Sequence, residues 1–100
     1  MIGLDTKVVV RYLTQDVPKQ AALANRVIEQ ELTENRPGFI GIIVLVETVW
    51  VLRRLYAVSA EEIHDLVAGL LGSPTIVIEN RPAVAAALAR ARQQACDFAD

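Results

Sequence analysis

Cysteine is almost missing from this sequence. Cys96 stands alone, so no internal disulfide can form and the fold must hold by packing. The bland reading of Cys96 is a small residue near a helix end. Basic charge is not in excess either. The formal net charge is −2, so the molecule as a whole carries no basic field, and a nucleic-acid partner would need a local patch or a bridging cation. No apolar run is long enough for a membrane span. The longest, residues 39–52, falls short of the roughly 20 residues required and has Glu47 inside it. The first ten residues, MIGLDTKVVV, lack a basic leader segment and carry an acid at position 5, which argues against a signal peptide and for the cytoplasm. Internal repeats, low-complexity stretches and linkers are also missing. What is present is a 53% hydrophobic chain of 100 residues, enough for one small globular domain and too apolar for disorder.

Hydrophobic patterning alternates short strands with longer helices. Ile2–Leu4 reads as a buried strand closed by Asp5, and a helix is expected from Thr6 to about Leu13, although the run Val8-Val9-Val10 favours a strand on propensity. Asp16 and Pro18 form a helix start. Ala24, Val27, Ile28 and Leu32 continue it with helical spacing, and Asn35-Arg36-Pro37-Gly38 ends it. Phe39-Ile40 reads as a second strand, and residues 42–55 as a mostly buried helix. Ser59-Ala60-Glu61-Glu62 is a capping box before an apolar face of Ile63, Leu66, Val67, Leu70 and Leu71, with Gly72 as the residue that ends the helix. Thr75–Ile78 is a third strand, and Asn80 and Pro82 open an alanine-rich helix to about Ala95. Asp97 reads as the cap of one further helix. This order implies an α/β fold with a central parallel sheet flanked by helices.

In such a sheet, ligands bind beyond the carboxyl ends of the strands. Asp5 follows the first strand directly. Glu47 lies about two helical turns, roughly 10 Å, past the second, so helix tilt must bring it toward Asp5. Asp97 and Asp100 are three apart and can share a helix face. Gathered carboxylates repel one another, and a hard divalent cation such as Mg²⁺ or Mn²⁺ offsets that repulsion. A water bound to such an ion, beside a carboxylate base, can attack a phosphodiester. The plainer alternative pairs Glu47 with Arg53 or Arg54 and leaves Asp5 and Asp97 as turn and cap residues.

The stretches GLDTKVVVRYLTQD, PGFIGIIVLVETVWVLRRLY and ACDFAD resemble the PIN-domain proteins, specifically the VapC-like toxins of toxin–antitoxin pairs. The resemblance implies a PIN-like three-layer fold, and a Mg²⁺-dependent endoribonuclease restrained by a cognate antitoxin, with a homodimer as the expected assembly. Asp5 matches the first metal-binding acid, Glu47 the second and Asp100 the third, with Asp97 as cap or additional ligand. Thr6, Lys7 and Arg11 are candidates for contact with RNA. Two departures stand out. Lys7 takes the place of a usual asparagine, where it can pair with Asp5 or reach a phosphate. The sequence given also stops at Asp100, before the family's C-terminal strands and fourth acidic position, which leaves an inactive interaction module that binds an antitoxin or a second copy as the rival reading. A phosphatase of the haloacid dehalogenase type would need an aspartate where Lys7 stands.

Of the remaining residues, His64 falls outside the apolar face and is expected on a solvated surface. Trp50 shares a stripe with Ile43 and Val46 and is expected in the core. Arg53 and Arg54 suit the negative end of their helix dipole, and Arg90 and Arg92 solvate the last helix.

Overall fold

Parallel pairing of three short strands organises the chain in the computed structural model, which describes residues 1–14 and 31–94. The order along the chain is β1 (Ile2–Gly3), α1 (Thr6–Thr14), β2 (Gly38–Ile40), α2 (Ile42–Leu55), α3 (Ala60–Gly72), β3 (Ile76–Ile78) and α4 (Arg81–Gln94). The sheet order is β1-β2-β3, with Gly3 level with Phe39 and Phe39 level with Val77. Ladder bonds run past the strand ends, from the Leu4 N–H to the Phe39 carbonyl and from the Glu79 N–H to the Ile40 carbonyl. The expected helix opened by Asp16 and Pro18 falls on residues 16–30, outside the described ones, as do Ala95, Cys96 and the cap proposed at Asp97.

Local chemistry accounts for most of the element ends. Asp5 accepts from the Val8 N–H at 2.9 Å, a side-chain cap that favours α1 over the strand that three valines prefer. Burial of Val9 and Val10 then completes the choice. The forward half of the capping box at α3 forms, the Glu62 N–H donating to Ser59 Oγ at 3.1 Å, while Glu62 Oε1 reaches back to accept from the Ser59 hydroxyl, at 3.0 Å, in place of the Ser59 N–H. Gly72 behaves differently from expectation. It stays helical, no glycine has positive φ, and Ser73 caps the helix with its N–H on the Leu70 carbonyl. Left-handed backbone occurs instead at Ala57 (φ 51°), just after α2, and at Asn80 (φ 52°), whose carbonyl accepts from the Ala83 and Val84 N–H groups as α4 begins.

The core lies against one face of the sheet. Ile40, Ile76 and Ile78 point into it and meet Leu45, Val49 and Leu52 of α2, Ile63, Val67, Leu70 and Leu71 of α3, and Val84 and Leu88 of α4. On the opposite face the cross-strand row runs Gly3 exposed, Phe39 half-buried and Val77 39% exposed. Three expectations about burial are corrected. Helix α2 is not mostly buried: Ile43 (74% exposed), Val46 (43%), Trp50 (54%) and Leu55 (71%) face outward, while only Leu45, Thr48, Val49 and Leu52 are enclosed. Trp50 is therefore not a core residue. His64, expected on the surface, is only 5% exposed. It projects about 20° around the helix from Leu71. Contact with α4 on that side moves the enclosed arc toward His64 and leaves Leu66 half-buried.

Candidate active site

The carboxyl ends of the three strands set the site. Asp5 comes two residues after β1, Gly41 directly follows β2, and Glu79 directly follows β3. The backbone at each point turns out of the sheet, and α1 and α2 both begin there. Asp5 is exposed. Its Oδ1 is committed to the α1 cap, and Oδ2 makes no hydrogen bond among the described residues. Asp5, a turn residue in the plainer alternative, is a helix cap, and one that keeps its second oxygen for a further ligand.

Glu47 is exposed rather than buried, so the desolvation problem raised by its apolar neighbours does not arise. The arginine pairing considered for it does not form. The Arg53 Nη1 donates to the Val58 carbonyl at 2.7 Å, and the Arg54 guanidinium stacks over the Trp50 ring, 4.9 Å from its centroid. Both arginines sit in the last turn of α2, where positive charge opposes the dipole.

Helix α1 packs against α2. Thr6, Lys7, Val10 and Arg11 line one side of a cavity of about 180 Å³, and Val51, Leu55 and Tyr56 line the other. Thr6 follows Asp5, and Val51 is one helical turn past Glu47. Lys7 is exposed and makes no ion pair with Asp5 among the described residues. Asp97 and Asp100, the other two candidate ligands, lie outside the described residues. Among the described residues no three acids, histidines or cysteines gather closely enough to hold a metal ion.

Glu79 was not singled out from the sequence. Its Oε1 accepts from the Ile42 N–H at 2.9 Å and so caps α2 across the sheet edge. Gly41, the residue at the cap position, has no side chain for that task. A glycine at a helix start and an acid closing the next parallel strand are the signals from which the contact could have been anticipated.

The arrangement offers exposed carboxylates at a sheet edge with an exposed lysine, Lys7, beside them. Comparison with protein-family models, curated proteins and solved structures finds no match to this chain. What the structure defines is an α/β protein with a three-stranded parallel sheet. Among the described residues no helix is long and apolar enough to cross a membrane.

Proposed function

We propose that the chain is part of a VapC-like PIN-domain ribonuclease, a metal-dependent hydrolase of RNA phosphodiester bonds. The observation that carries this reading is the crossing of α1 on α2, which sets Thr6 and Lys7 against Val51, one turn from Glu47. That crossing, in this reading, lets the two acids, distant in sequence, approach one site. In this reading Asp5 and Glu47, with Asp100, hold Mg²⁺ or Mn²⁺, and Asp97 caps the helix that carries Asp100. The ion would neutralise charge on the scissile phosphate and lower the pKa of a bound water. Lys7 and Arg11, one turn apart on α1, face the phosphate backbone of the substrate, and the N–H groups at the start of α1 favour anions. A cognate antitoxin would restrain the activity. The second helical layer of a PIN-like fold belongs to the same proposal and would cover the Gly3–Phe39–Val77 row.

Cleavage of a labelled single-stranded RNA tests this. The expected result is cleavage with Mg²⁺ or Mn²⁺, none in excess chelator, and loss of at least a hundredfold in rate for Asp5→Asn at unchanged thermal stability. Unaltered cleavage by that variant, or cleavage in chelator, refutes it. The rival reading, an interaction module without chemistry, draws support from the apolar outer face of α2. It predicts partner binding with no cation dependence and no RNA cleavage.

A further inference from the structure

A cavity of about 440 Å³ opens where the C-terminal residues of α1 and α2 meet the first two turns of α3. Its walls are aliphatic. Leu52 is buried, and Leu13, Val58 and Leu66 are half-buried. Tyr56 adds an aromatic ring. A volume in this range, with mostly apolar walls and a few polar groups, is the usual form of a small-molecule site. The charged groups here carry one sign. Glu62 and Asp65 line the cavity from α3, three residues apart and so on one helix face, and among the described residues no lysine, arginine or histidine lines it. We infer that the cavity binds a small aliphatic amine, with its ammonium group between Glu62 and Asp65 and its alkyl body against Leu13, Leu52 and Leu66.

Charge selects that class of ligand over others. Glu62 Oε1 accepts from the Ser59 hydroxyl and Asp65 Oδ1 from Arg92, which leaves Glu62 Oε2 and Asp65 Oδ2 with no hydrogen bond among the described residues. The Asp65–Arg92 pair is itself exposed, with 46% of the Arg92 and 80% of the Asp65 side chain in solvent, so it contributes little and yields Asp65 to a second cation. Arg53 does not line the cavity; its Nη1 donates to the Val58 carbonyl at 2.7 Å. An ammonium group has three N–H donors and can serve two carboxylates at once. A phosphate or carboxylate ligand would meet two like charges and no cation. That separates this cavity from the one between α1 and α2, which shares Tyr56 but is lined by Lys7 and Arg11. A second ammonium at the far end of the ligand would lie among leucines without a partner, so a monoamine fits better than a diamine.

Titration of the full chain with n-hexylamine at neutral pH, followed by backbone amide chemical shifts, tests the assignment. The readout is taken without divalent cation and does not depend on RNA cleavage. A ligand of so few atoms should bind with a dissociation constant on the order of 1 mM. Saturable shifts should centre on Leu13, residues 52–58 and residues 62–66. Hexanoate has the same body and the opposite charge and should give no saturable shift. Hexamethylenediamine should bind more weakly than hexylamine by about fivefold. Glu62→Gln and Asp65→Asn should each weaken hexylamine binding by about threefold, with unchanged circular dichroism because both side chains are exposed. Leu66→Phe keeps both acids, narrows the cavity and should weaken binding by a similar factor. Shifts that do not saturate, shifts centred on another surface, equal binding of hexanoate or hexamethylenediamine, or full affinity in both acid variants would overturn the assignment.

Discussion

Of the five glycines, Gly38 is the one most closely approached by neighbouring side chains, and replacing it with alanine tests that packing directly. A Cβ at position 38 would meet Leu32 Cδ1 at 2.8 Å and Leu4 at 2.9 Å (Cδ1) and 3.2 Å (Cγ). Ordinary carbon contacts are about 3.5–4.0 Å, so each leucine must retreat by about 0.6 Å or more. Both leucines are buried, Leu32 at 4% and Leu4 at 5% exposure, which limits where they can go. Their methyl ends can rotate, at about 0.5–1.5 kcal/mol for an off-rotamer side chain, and overpacking in cores costs about 1–3 kcal/mol. Alanine returns about 0.5 kcal/mol because glycine loses more chain entropy in a strand. The net expectation for Gly38→Ala is a loss of about 1–2 kcal/mol, or about 4–15 °C in Tm for a domain of this size. Urea unfolding followed by circular dichroism measures it. Leu32→Ala alone should destabilise by about 2–5 kcal/mol. Combined with Gly38→Ala it should cost at least 1 kcal/mol less than the sum, because the new methyl fills the vacated space. A neutral Gly38→Ala, or strict additivity in the double variant, would refute the close approach.

Three further substitutions probe local features. Thr48→Val should stabilise by about 1 kcal/mol in the same unfolding assay, because the Thr48 hydroxyl is buried at 1% exposure with no hydrogen-bond partner among the described residues; a loss of stability would mean that the hydroxyl is bonded. Ala57→Gly should raise stability by about 0.5 kcal/mol, since alanine at φ 51° is strained by about 1 kcal/mol or more and glycine loses part of that gain to chain entropy. Glu79→Ala should cost about 1 kcal/mol by removing the α2 cap. Glu79→Gln keeps an acceptor and should cost less; equal losses would contradict the hydrogen bond as the cause.

The elements themselves were legible in residue order. Helix α2 was placed at residues 42–55 by the length of its apolar run, and α3 by its capping box, because both signals are local. Alternation of short strands with helices was enough for an α/β class with a parallel sheet. The candidate site is less settled by the structure. Asp5 and Glu47 stood out as acids at informative positions, and the structure puts both in solvent, with Asp5 capping α1. Asp97 and Asp100 lie outside the described residues.

Hydrophobicity along α2 and α3 said that each helix has apolar positions, not which of them meet a neighbour. Trp50 and Ile43 are as apolar as Leu52, yet only Leu52 faces the core, because α1, α3 and the sheet approach α2 from one side. His64 became buried for the complementary reason: α4 closes over an arc that polarity alone would leave in water. The Glu79 cap and the tight place of Gly38 join residues 37 apart and 34 apart along the chain. The amino-acid order therefore determined where helices and strands begin and end, since caps and periodicity act within a few residues. Only the tertiary structure decided which faces are covered and which distant groups meet, since those depend on the directions in which separate elements pack.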